Sequence, residues 1–206
     1  MPTFRTSLKL IEPSNAQTPR ERELFLAGRQ AGKGMLPNMY KAMLNSPAML
    51  ASYLHGYERF REESSFSPPE QEVVFLAISE ENGCDYCMAA HSLLADTVSR
   101  VPRDVTDAIR NGDDVPDTRL AALAKMTHEM LLSRGRPDEQ DVRGFLAAGF
   151  EERQLLDIVL AISIKTLSNY ANHLFDTPLD TVFKAREYTA YKAAQRVVEF
   201  FAPRRP

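Results

Sequence analysis

The sequence predicts an all-α protein, and three observations carry that expectation. Apolar residues recur at i, i+3, i+4 and i+7 in one segment after another. Proline stands where helices begin, in Pro19-Arg20-Glu21, Ser46-Pro47 and Ser67-Pro68-Pro69-Glu70. It is favoured in a first turn because the N–H it lacks would find no intrahelical partner there. No run alternates apolar and polar residues between turn signals, as a half-buried strand would.

The elements follow in order. The first nineteen residues, with Pro2, Pro13 and Pro19, read as an extended arm (residues 1–19), and a helix opens at Pro19. A loop through Gly32, Gly34 and Pro37 leads to a short helical stretch from Met39 to Leu44. The next helix starts at Ser46-Pro47 and runs to about Arg61, with Leu50, Leu54, Tyr57 and Phe60 as its apolar stripe. Val73, Leu76 and Ala77 recur in the helix after Ser67, which Asn82-Gly83 ends. Cys87, Ala90, His91, Leu94 and Val98 then share one helical face, so the segment from Cys84 to about Thr97 reads as a helix. A short helix after Pro102 reaches Arg110, and Asn111-Gly112-Asp113-Asp114 makes a turn. Helices from Thr118 to Ser133 and from Asp138 to Ala148 follow, the second closed by Gly149. The segment from Glu151 to about Phe175 is apolar round most of its circumference, so it is expected to be a central helix. A last amphipathic helix is expected from about Asp180 to Phe200, making residues 180–206 a C-terminal helix and tail.

A chain of 206 residues, 44% apolar and 26% charged, suits one domain over residues 1–206 that buries a core without disulfide staples. A net charge of -3 offers no basic footprint for nucleic acid. The longest apolar run, from Leu155 to Ile164, contains Asp157 and is half of the ~20 residues a membrane span needs. Residues Met1 to Glu21 hold no apolar signal segment, so the expected setting is the cytoplasm, where thiols stay reduced. Cys84 and Cys87 are the only cysteines. Their spacing points to chemistry rather than to a structural bridge.

Two thiols at C-x-x-C can close a disulfide within one helical turn, which makes them easily and reversibly oxidised. In a first turn, backbone N–H groups and the positive end of the helix dipole favour thiolate. His91, four residues after Cys87, lies on the same face and can take a thiol proton or stabilise the anion. Glu72 sits among Val73, Phe75 and Leu76 on the preceding helix, where a raised pKa would suit it to passing protons. Other readings compete. Zinc needs a fourth ligand beside Cys84, Cys87 and His91, and only the distant His55, His128 and His173 could supply it. Covalent haem attachment needs histidine directly after the second cysteine, where Met88 stands. A thioredoxin-type pair would follow a strand, and here the preceding segment is helical. The plainest alternative is two small buried residues beside an unrelated histidine.

The stretch from Glu72 through Cys84-Asp85-Tyr86-Cys87 to His91 resembles the signature of alkyl hydroperoxide reductase D, within the carboxymuconolactone decarboxylase-like superfamily. That signature is a glutamate twelve residues before C-x-x-C and a histidine four residues after it. The flanks Gly34-Met35-Leu36-Pro37-Asn38-Met39-Tyr40, Asn82-Gly83 and Ala148-Gly149-Phe150 agree, and Tyr170-Ala171-Asn172-His173 resembles the peroxidase-related branch. The resemblance covers roughly residues 30 to 180. It implies an AhpD-like bundle of packed antiparallel helices that assembles as a trimer or hexamer, with no cofactor and no metal. It implies reduction of organic hydroperoxides, with electrons returned by a thiol or dithiol protein. Cys87 would attack and pass through a sulfenic acid, Cys84 would resolve it, and Glu72 with His91 would relay the proton. In alkyl hydroperoxide reductase D the residue before the second cysteine can be a histidine of the relay. Here it is Tyr86, whose phenol donates a hydrogen bond but is a poor base near neutral pH.

Two further classes stay open: a lyase of the decarboxylase type, against which the cysteine pair counts, and a non-catalytic redox adaptor or sensor. Among the remaining residues, His128 is expected in packing or at the surface, and Glu80 and Glu81 in solvent. Asn172 and His173 either line the site or an interface, or serve the helix end. Tyr57 and Phe60 read more readily as core than as a cavity wall.

Overall fold

The computed structural model describes residues 4–186. Over these residues the chain forms α1 (Pro19–Ala31), α2 (Asn38–Met43), α3 (Pro47–Glu63), α4 (Pro68–Glu81) and α5 (Asp85–Leu94). α6 (Arg103–Asn111), α7 (Thr118–Leu132), α8 (Glu139–Ala147) and α9 (Arg153–Phe175) complete the bundle, and no strand occurs among the described residues. The start signals act as local chemistry dictates. Thr18 and Glu21 form a reciprocal capping box on α1, and the Glu70 carboxylate accepts from both the N–H and the hydroxyl of Ser67 at the head of α4. Asp117 and Asp138 cap α7 and α8 by accepting from Leu120 N and Gln140 N.

α4, rather than α9, is the enclosed helix. Every residue from Glu70 to Ser79 is buried, with α5, α6, α7 and α9 packed round it. Phe75 is fully buried against Phe60 with ring centroids 4.7 Å apart, and a side chain of this size contributes about 1.5–3 kcal/mol by leaving water. α9 buries one face and leaves Leu156, Val159, Tyr170 and Leu174 exposed on the other. Its apolar circumference does not mean full enclosure.

Two further expectations are modified. α5 passes into a π-helical turn, Ala95–Ser99, before Arg100 turns left-handed. The helix expected from Asp180 is, in its described part, a 3-10 helix, Thr181–Arg186, and residues 187–206 lie outside the described residues. Tertiary bonds hold this segment in place. Phe183 is buried edge-on to Tyr86, and Arg186 pairs with Asp96 at 2.9 Å and Asp107 at 2.7 Å. The described part of the arm, in which Pro13–Asn15 make a 3-10 turn, is pinned by Thr6 N–H donating to Leu174 O and Ile11 N–H to Lys41 O.

Candidate active site

The site begins where α4 stops. Gly83 adopts φ +63°, a left-handed conformation that glycine enters at no steric cost. Its N–H donates to Glu80 O, and the Cys84 N–H donates to Ser79 O, both at 2.9 Å. This reversal delivers Cys84 as the N-cap of α5 and Cys87 into its first turn. Both thiols are free and buried, with 1% and 2% exposure.

α9 covers the pair with a polar face. Asn172 Nδ2 donates to Cys87 Sγ at 3.3 Å and reaches Cys84 Sγ at 3.8 Å. Ser168 Oγ lies 3.9 Å from Cys87 Sγ. Lys165 is fully buried one turn earlier, with Nζ 5.5 Å from the Phe75 ring centre, and its charge bears on both cysteines.

The two sulfurs are not equivalent. A hydrogen bond from Cys87 brings the Cys84 thiol down to about 7 against the opposing effect of burial, with help from Lys165 and Asn172. Burial pushes Cys87 well above its usual range, and the neighbouring Cys84 adds to that. The shifts run in opposite directions, so Cys84 ionises before Cys87. The helix dipole acts on both sulfurs alike; the hydrogen bond between them, with burial, separates them.

Glu72 and His91 do meet, with Oε2 and Nδ1 2.9 Å apart. The expected raised pKa of Glu72 is overturned. Burial does push the carboxyl up, but Arg61 on α3 and His91 together hold it below the usual carboxylate range. Arg61 reaches Glu72 Oε1 and Tyr57 Oη, its guanidinium lying 4.8 Å from the Phe75 ring centre. Burial and the Lys165 charge lower His91 below its ordinary value despite the pull of Glu72. At neutral pH the imidazole is therefore neutral, so the main grip on Glu72 comes from Arg61. Such a histidine donates from Nδ1 to the carboxylate and leaves Nε2 as its free lone pair. No hydrogen bond joins His91 to either sulfur among the described residues.

Tyr86 is engaged elsewhere. Its hydroxyl donates to the Asp180 carboxylate and accepts from the Met39 N–H, and burial with Asp180 pushes its phenol well above the usual range. Asp180 also accepts from the Asn38 N–H at the start of α2. Tyr86 thus ties α5 to α2 and to the segment after α9.

Phe60 is fully buried core. Glu81 is not simply solvated but bonds His128 at 3.2 Å, and with Glu80 these residues bring ligand atoms within 4.8 Å of one another. His55 and His173 are exposed, the latter stacked on Tyr170. Arg61, Lys165 and Ser168 escaped the sequence reading. For α9 a signal existed: Lys165, Ser168, Asn169 and Asn172 fall on one side of the helix.

No protein-family model and no curated protein matches the chain. Solved structures do. An AhpD-core, peroxidase-related protein from Ralstonia eutropha JMP134 superposes with TM-score 0.73 at 19% identity, over 88% of this chain and 95% of that one. A peroxidase-related protein from Silicibacter sp. TM1040 gives 0.71 at 19%, over 89% and 95%. A variant of the debrominase Bmp8 in complex with 2,3,4-tribromopyrrole gives 0.71 at 18%, over 90% and 97%. The chain has the all-α fold of the AhpD core and of the peroxidase-related proteins that share it.

Proposed function

We propose that the chain is an enzyme, a thiol-dependent peroxidase that reduces organic hydroperoxides through Cys84 and Cys87. The observation that carries this reading is a pair of free, buried thiols beneath a single amide, Asn172, whose Nδ2 lies 3.3 Å from Cys87 Sγ and 3.8 Å from Cys84 Sγ. Proton transfer from Cys87 to Cys84 leaves the Cys87 thiolate, which attacks the terminal peroxide oxygen. The O–O bond breaks, the alkoxide leaves and takes up a proton to become the alcohol, and Cys87 becomes a sulfenic acid. Cys84 then attacks the Cys87 sulfur, water leaves, and the disulfide forms. A thiol or dithiol protein returns two electrons and two protons. His91, oriented by Glu72, serves the proton through its free Nε2. The working unit is a trimer or hexamer of identical chains.

Cys87→Ser is expected to abolish hydroperoxide consumption, followed by stopped flow. Cys84→Ser is expected to leave a trappable sulfenic acid at Cys87 in the first turnover. Undiminished activity in Cys87→Ser removes the peroxidase reading. Loss of two thiols per chain without turnover favours a redox adaptor instead.

A second reading rests on the debrominase neighbour and on the aromatic row Tyr40, Tyr53, Tyr57 and Phe75, which ends against His91 with ring centroids 4.9 Å apart. Thiolate attack on the bromine of an aryl bromide would give a sulfenyl bromide and a ring carbanion that takes a proton. The second thiol would then expel bromide to form the same disulfide. Hydroperoxides and 2,3,4-tribromopyrrole assayed side by side distinguish the two, since bromide release occurs in one only.

A further inference from the structure

We infer that Lys165 is the positioning residue that ionises the cysteine pair, as its buried counter-charge, and that its removal drives the pair toward the disulfide.

The geometry begins with an unpaired group. Lys165 is 0% exposed and its Nζ has no hydrogen-bond partner among the described residues. A buried ammonium without a partner is costly, so such a group is expected to face a charge that comes and goes. Around it the other titratable groups are already accounted for. Glu72 on α4 is held by Arg61 from α3, and His91 on α5 is neutral. The phenols of Tyr40 on α2 and of Tyr53 and Tyr57 on α3 are pushed up and stay protonated. Tyr86 on α5 is bound to Asp180. Arg61 and Glu72 cancel, leaving the charge of Lys165 to be balanced.

The sulfurs supply that balance. Lys165, Ser168 and Asn172 fall at i, i+3 and i+7 on the face of α9 that covers the pair. Two of the three contact sulfur directly, and the third brings the positive charge. One thiolate on the pair makes the buried cluster neutral. Disulfide formation removes that anion: a thiolate and a thiol lose two electrons and one proton, and the S–S bond carries no charge. Lys165 is then left without a counter-charge. It therefore favours the reduced pair and makes the disulfide a better oxidant, by the same logic as any dithiol whose thiolate is stabilised.

This rests on the pair being redox-active but not on any substrate, so the test needs no peroxide. Reduced wild type and Lys165→Met are alkylated with iodoacetamide across pH, and each is equilibrated with a dithiothreitol redox buffer. Lys165→Met is expected to raise the alkylation midpoint by about one pH unit, because the thiolate loses its cation. It is expected to shift the equilibrium toward disulfide by about tenfold, equivalent to ~30 mV. Lys165→Arg keeps the charge and is expected to hold the low midpoint, which a merely space-filling role for Lys165 does not predict. Lys165→Gln, also uncharged, repeats the test where methionine packs badly. An unmoved midpoint in a folded uncharged variant, or an equilibrium shifted toward the dithiol, overturns the inference. A hydroperoxide assay that fails while these shifts appear overturns only the proposed function.

Discussion

At the floor of the site a carboxylate, Glu72, stays ionised although only 2% of its side chain meets water. Arg61 makes this possible, and removing one partner of such a pair leaves the other buried and uncompensated. Arg61→Met is therefore expected to destabilise the protein by about 3–5 kcal/mol at neutral pH, read from the urea midpoint. The pH dependence follows from the directions of the shifts. Glu72 is depressed below its usual 4.5 in the native state, so its contribution is present above that value and is lost as pH falls through the native pKa. His91 is also depressed, below its usual 6.5, so the unfolded chain binds its proton first and stability falls as pH drops below 6.5. As pH falls, His91 should weaken the wild type first and Glu72 afterwards. In Arg61→Met the remaining burial raises Glu72, so its loss of stability should be greatest at neutral pH and shrink toward acid. A loss that grows toward acid would remove Arg61 as the holder of Glu72.

At the scale of elements, the turn at Gly83 and the Tyr86 tether decide where α5 starts and what it leans on. Tyr86 occupies the position at which a histidine would join a proton relay, yet its hydroxyl is spent on Asp180 and Met39. Tyr86→Phe is expected to cost about 1–3 kcal/mol, since both bonds of the buried hydroxyl disappear and the Met39 N–H loses its acceptor, while Asp180 keeps the Asn38 N–H. Amide exchange should rise first in the segment Pro178 to Arg186. Hydroperoxide turnover should fall less than tenfold. A hundredfold fall with unchanged exchange would instead put Tyr86 in the relay.

For the whole molecule, α9 is mixed on both faces, with Ile158, Ala161, Ile164 and Ala171 also buried. Its buried face carries Lys165, Ser168, Asn169 and Asn172, while Leu156, Val159, Tyr170 and Leu174 lie exposed on the opposite side. Solvent-facing apolar stripes of this kind mark association surfaces. The proposed occupant is a second copy of this chain, in line with the expected trimer or hexamer. Light scattering should then report a multiple of the 23.2 kDa chain mass, reduced toward one chain in the double variant Leu156→Glu, Val159→Glu. A monomeric wild type would leave the stripe without that role.

The helices and the C-x-x-C/histidine spacing were legible in the sequence because both are local. A proline at a first turn and an i, i+4 pair act within one or two turns of chain, so Pro19, Ser67-Pro68, Cys87 and His91 announce themselves. Glu72 was legible through its register alone, and its ionisation was misjudged because its neighbours in sequence are apolar while its neighbour in space is Arg61. Ser168 and Asn172 reach the sulfurs from some eighty residues away, Lys165 bears on them through its charge, and only the packing of α9 over α5 brings them there. Which thiol ionises first was likewise a tertiary decision. The dipole of a first turn favours both anions, but a shared hydrogen bond and desolvation, fixed by the folded surroundings, lower Cys84 and raise Cys87.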